Sequence, residues 1–115
     1  MSNFLLELAN TIKSRKEESI EKSYTALLLS KGFSECLSRF QEESKEFSES
    51  IKNNSNIIHE SADVVYHFLV TLESRGVKLI DVITELEKRK KQSGHEEKKN
   101  RKKWNTTKII FLLRF

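Results

Sequence analysis

The stretch LSRFQEESKEFSESIKNNSNIIHESADVVYHFLVTL, residues 37–72, decides the fold. Leu37, Phe40, Ser44, Phe47 and Ile51 step by 3, 4, 3 and 4, the seam of a bundle helix. Ile58, Ala62, Val65, Leu69 and Leu72 step by 4, 3, 4 and 3 and form a second seam. Asn53-Asn54-Ser55 breaks the two apart, with Ser55 as the expected cap of the second helix. Val64, Tyr66, Phe68 and Val70 spread the apolar surface of that helix over several sides, which predicts a central position. The spacing predicts helices from Ser34 to about Lys52 and from Ser55 to about Arg75, the latter ended by Gly76.

Outward from this pair, Asn3 is the expected cap of a first helix with Phe4, Leu5, Leu8 and Ile12 on one face. Ser23 caps a short helix, Tyr24 to Ser30, that stops at Lys31-Gly32. A last helix runs from Val77 to Gln92 and carries Leu79, Ile83 and Leu86, stopping near Ser93-Gly94. The fold class is all-α, a helical bundle of four to five helices. The composition agrees: 115 residues without proline and with three glycines cannot supply the special turns of a sandwich or barrel. Apolar residues are 37% and charged residues 33%, yet the central helix is apolar on several sides. A homo-oligomer, dimer or larger, is expected to complete the core.

Cys36 is the only cysteine, so an intrachain disulfide and a multi-cysteine zinc site are excluded, and it is read as a core residue. No apolar run approaches the ~20 residues that span a bilayer, and no membrane association is expected. The first residues, Met1 to Glu7, lack the basic start and apolar centre of a signal peptide, so a cytoplasmic protein is expected. Residues 1–89 hold 12 basic and 15 acidic side chains, a net of −3, whereas residues 90–115 hold nine and two, a net of +7. No zinc finger, RNA-recognition signature or GxxG loop accompanies this basic end. It is read as solvated, with no nucleic-acid partner.

The chemistry lies in the acids. At about 100° per residue, Glu43 and Glu46 stand side by side on the flank of the first seam, with Glu42 on the far side. Glu60, Asp63 and His67 share one stripe of the next helix, opposite its main seam. Packed antiparallel, the two helices bring four carboxylates toward one point. Four such groups cannot stay ionised together without a cation. Oxygen-only ligation suits Mg²⁺, or Mn²⁺, rather than zinc. The expected metal ligands are therefore Glu43, Glu46, Glu60 and Asp63. Mg²⁺ favours phosphates, which points to a phosphoanhydride substrate and an attacking water. Glu42 or Glu46 is then the candidate to accept that water's proton. His67 is expected to hydrogen-bond a carboxylate behind the ligands.

The pattern Glu42-Glu43-x-x-Glu46 followed by Glu60-x-x-Asp63 resembles the signature of the all-α nucleoside triphosphate pyrophosphohydrolases, which include MazG-like enzymes and dimeric dUTPases. Ser23-Tyr24-Thr25 with Leu28 and Lys31-Gly32, the Glu60–Val70 segment containing Tyr66-His67, and Leu86 to Arg89 with Ser93-Gly94 and Glu97-Lys98 are similar to the phosphoribosyl-ATP pyrophosphatases. The resemblance spans about residues 5–101, taken as one catalytic domain, and leaves 102–115 as a basic tail. It implies hydrolysis of phosphoribosyl-ATP to phosphoribosyl-AMP and pyrophosphate, the second step of histidine biosynthesis, by a form not fused to a cyclohydrolase. The family pattern also implies Lys31, Lys98 and Arg101 as phosphate partners, with Arg15 and Lys16 as weaker candidates. Two other readings compete. A MazG-like pyrophosphatase of broader range would share the acids without needing Ser23-Tyr24-Thr25. A non-catalytic helical binding module using the basic tail has no reason to place four acids on two core helices.

Overall fold

The computed structural model describes residues 3–91, and every described element is helical. Helix α1 spans Phe4–Ser14 and continues into a one-turn 3-10 segment, Arg15–Glu17. Helices α2, Tyr24–Ser30, α3, Phe33–Asn53, α4, Ile57–Ser74, and α5, Leu79–Lys91, follow. No described helix is long and apolar enough to cross a membrane. The described residues divide into two units, one up to Leu79 and one from Ile80. The expected boundary after residue 101 lies outside the described residues.

The first unit is organised by α3 and α4, which pair antiparallel. The register is set by a ladder of contacts. The Arg75 guanidinium sits 4.4 Å over the Phe33 ring, Thr71 Oγ1 donates to the Cys36 carbonyl at 3.2 Å, and Phe40 lies 6.2 Å from Phe68. The core is Ile12, Leu28, Cys36, Leu69 and Val70, with Leu8, Leu29, Tyr66, Phe68 and Leu79 packed around it. Cys36 is buried and donates to the Leu28 carbonyl at 3.3 Å, and burial pushes its thiol pKa up, as suits an inert core residue.

Several ends differ from the sequence reading. Asn3 makes no side-chain cap; the backbone of Glu7 bonds to its carbonyl instead. Helix α3 opens at Phe33, not Ser34, because Gly32 takes the cap with φ 90 and ψ 175. That backbone region is essentially closed to residues with a Cβ. It lets two residues, Lys31 and Gly32, join α2 to α3. Gly32→Ala is therefore expected to destabilise the fold by about 1–3 kcal/mol, although its Cβ would meet nothing within 4 Å. A shift in urea midpoint measures this, and an unchanged midpoint would mean the chain turns another way here. At the α3 end, Asn54 adopts the left-handed conformation, and Asn54 and Ser55 donate back to Ile51 and Ser50 in a Schellman arrangement. Ser55 is thereby used up in closing α3. The cap of α4 falls to Asn56, whose φ is 57, without a side-chain bond. Gly76, φ 70, closes α4 as expected, and α5 begins at Leu79 rather than Val77.

The seams are also rotated. Of the α1 face, Ile12 is buried and Leu8 half-buried, while Phe4 and Leu5 are exposed. On α4 the interior side carries His67, Leu69 and Val70, whereas Ile58, Ala62 and Val65 of the expected main seam are exposed, Ile58 to 87%. Leu37 and Ile51 are likewise exposed at the two ends of the α3 seam. A helix apolar on several sides has no single face that periodicity can select, and here the acidic stripe of α4 turns toward α3. In the second unit α5 is amphipathic, with Val82 and Ile83 half-buried, a Glu85–Arg89 pair at 3.5 Å and four basic residues, Lys88 to Lys91, in its last turn.

Candidate active site

The antiparallel pair places Glu43 and Glu46 of α3 against Glu60 of α4. One carboxylate oxygen from each lies within 4.8 Å of the other two. Glu60 also belongs to a second group, with His59 and Asp63, held within the same limit. The four expected acids, together with His59, thus form two overlapping triads joined at Glu60 rather than a single point. His59 Nε2 lies 3.4 Å from Asp63 Oδ2, an ion pair when that exposed imidazole is protonated. His59 escaped the sequence reading; its only signal there is its place four residues before Asp63.

Burial makes the cluster electrostatically unfavourable without a cation. Glu43 Oε2 and Glu60 Oε2 are buried and have no hydrogen-bond partner among the described residues. Burial raises the Glu43 carboxyl pKa, and the neighbouring Glu46, Asp63 and Glu60 charges raise it further. Buried acceptors of this kind need a donor or a metal. Oxygen donors alone suit a hard divalent ion, so the residues present fit Mg²⁺.

His67 is 6% exposed, and its Nε2 stands 4.0 Å from Glu43 Oε1, too long for the carboxylate hydrogen bond expected of it. Its Nδ1 is buried without a hydrogen-bond partner among the described residues. Burial holds its pKa below the usual histidine value. The Tyr66 and Tyr24 rings meet it edge-on at 5.0 and 6.4 Å. Tyr66 is a packing residue whose hydroxyl bonds Thr25. Ser23 accepts from the Ala26 amide at 3.1 Å and caps α2. The Ser23-Tyr24-Thr25 segment therefore ties α2 to the helix that carries Glu60 and Asp63.

The other expected residues fall elsewhere. Glu42 is outside both triads and exposed, bonded by Arg39 Nη1 at 3.2 Å. Lys31 is exposed at the C-cap of α2. Arg15 pairs with Glu18 at 2.7 Å and Lys16 with Glu73 of α4 at 2.6 Å, so both are engaged in holding the fold. Lys98 and Arg101 lie outside the described residues.

The model of the phosphoribosyl-ATP pyrophosphohydrolase family matches residues 5–90, which include every acid described above. The chain belongs to this family. A phosphoribosyl-ATP pyrophosphatase of Hydrogenovibrio crunogenus is 42% identical over 110 residues, covering 90% of this chain and 97% of its own. Those of Paracoccus denitrificans and Ruegeria pomeroyi are 46% and 45% identical, covering 85% and 88% of this chain and 93% and 98% of their own. No solved structure matches the chain. The phosphoribosyl-ATP pyrophosphohydrolase family is thus represented here by an all-α chain whose acidic motif closes at the junction of α3 and α4.

Proposed function

We propose that this chain hydrolyses phosphoribosyl-ATP to phosphoribosyl-AMP and pyrophosphate, as a Mg²⁺-dependent cytoplasmic hydrolase of histidine biosynthesis. The observation that carries the reading is the pair of buried, unpartnered oxygens, Glu43 Oε2 and Glu60 Oε2, inside a cluster of acids in a member of this family. Glu43, Glu46, Glu60 and Asp63 would hold the ion. When bound, Mg²⁺ neutralises phosphate charge and lowers the pKa of coordinated water.

The chain's own residues supply the rest. Glu46 belongs to the cluster and is open to solvent, so its carboxylate is placed to take a proton from the attacking water. Glu42, engaged by Arg39, is the poorer base. His67 is buried beside Glu43 and packs against the cluster without a hydrogen bond to it. The bond broken lies between the α- and β-phosphates, and no protein nucleophile is required. Lys31, and Lys98 and Arg101 by family pattern, are the phosphate partners. The test is hydrolysis of phosphoribosyl-ATP beside a panel of nucleoside triphosphates, with and without Mg²⁺. Preference for phosphoribosyl-ATP supports the reading; equal turnover of common triphosphates would favour the MazG-like alternative.

The same proposal includes a homo-oligomer. Ile58 at 87% and Ile51 at 50% exposure, with Leu37 and Val65, leave the apolar stripes of α3 and α4 uncovered within one chain. Ile58→Asp is expected to shift the protein to a smaller species in light scattering. A stable, active wild-type monomer would refute this.

A further inference from the structure

A cation stands in line with the acid cluster. Arg39 precedes Glu43 by four residues and Glu46 by seven, so the three share one stripe of α3. A rise of about 1.5 Å per residue puts Arg39 roughly 6 Å along the helix from Glu43. Its Nε donates to Glu35 Oε1 and its Nη1 to Glu42 Oε2, each at 3.2 Å. These bonds use two of the guanidinium's five N–H donors and hold the fork on both sides. The side chain is 43% exposed, which leaves the other donors open to a ligand. Exposed pairs of this kind add little to stability, so removing Arg39 should leave the fold intact.

Resting on the pyrophosphohydrolase reading, we propose that Arg39 binds the terminal phosphate of the substrate's triphosphate, the end that leaves as pyrophosphate. A triphosphate held at the cluster meets an acidic surface, and one helical turn away it meets a fixed, planar cation suited to bidentate phosphate contact. One turn is within the reach of a phosphate chain. The phosphoribosyl group, on the far side of the adenine base, is not. Glu42 then serves as a positioning residue for the Arg39 fork, which explains a motif acid turned away from the cluster.

The test uses the full chain as wild type, Arg39→Ala, Arg39→Lys and Lys13→Ala, the last removing an exposed basic residue of α1. Arg39→Ala is expected to raise KM for phosphoribosyl-ATP by about ten- to a hundredfold, the scale of a lost charge-assisted hydrogen bond, with a smaller fall in kcat. Competitive inhibition by pyrophosphate should weaken by a similar factor while inhibition by phosphoribosyl-AMP is unchanged. Arg39→Lys, a point charge without the fork, should fall between. Thermal midpoints of all variants and the kinetics of Lys13→Ala should match wild type. Unchanged KM and pyrophosphate inhibition in both Arg39 variants would overturn the inference, as would weakened inhibition by phosphoribosyl-AMP instead. A wild type that does not hydrolyse phosphoribosyl-ATP would overturn the underlying reading, a result distinct from either.

Discussion

Glu60→Gln is expected to lower turnover of phosphoribosyl-ATP by about a hundredfold or more, the scale of removing a major electrostatic contribution. Glu60 is chosen because it is the acid shared by both triads, and its Oε2 is buried without a partner. The amide keeps the size of the side chain and its place on α4 but removes one negative charge. Mg²⁺ binding, followed by calorimetry, should weaken in parallel. In metal-free buffer the variant should be at least as stable as wild type, because the substitution relieves repulsion with Glu43 and Glu46. Asp63→Asn should show the same pattern. Glu49→Gln is the control, since Glu49 is an exposed acid of α3 outside both triads. Equal, small effects from Glu60→Gln and Glu49→Gln would return the acids to an ordinary solvated face. Loss of folding in Glu60→Gln would mark it as a structural residue and remove the main support for a metal site.

Ile12→Ala is expected to cost about 2–5 kcal/mol, the range for deleting a buried aliphatic side chain and leaving part of the cavity. Ile12 is 2% exposed and packs in one cluster with Leu28, Cys36, Leu69 and Val70. That loss is a large share of the roughly 5–15 kcal/mol that stabilises an ordinary domain. Leu69 and Val70 belong to the helix that carries Glu60, Asp63 and His67, so a loosened core also loosens the site. Urea denaturation measures the effect, with Leu5→Ala as comparison. Leu5 lies on the face predicted for α1 but is exposed, and its replacement should change stability by less than about 0.5 kcal/mol. A similarly small cost at Ile12 would mean that α1 does not dock on α4 as described.

Local interactions were legible without the structure. Helix α2 occupies Tyr24–Ser30 with Ser23 as its cap, as the sequence predicts, because an N-cap and a short apolar run act within one turn. The long α3 and α4, the Gly76 stop and the pairing of Glu43 with Glu46 and of Glu60 with Asp63 follow from spacing for the same reason. The resemblance to the phosphoribosyl-ATP pyrophosphatases was legible as well, since it rests on residues contiguous in the chain, and the family match agrees with it.

What required tertiary structure is the choice between faces and partners. Periodicity names the apolar sides of α4 but not which is covered, and packing put Leu69 and Val70 inside while leaving Ile58 and Val65 outside. The register of α3 on α4, set by contacts such as Phe33 with Arg75, made Glu60 the acid common to both triads and gave Asp63 to His59. Glu42 and Glu43 are adjacent in sequence, yet about 100° of helix rotation separates them. One joins the buried cluster, and the other meets Arg39 in solvent. Lys16, a weaker phosphate candidate, is taken by Glu73, 57 residues along the chain. Sequence determines which groups lie along a helix, because that geometry is local; which of them lose water and meet across the bundle depends on surfaces distant in the chain.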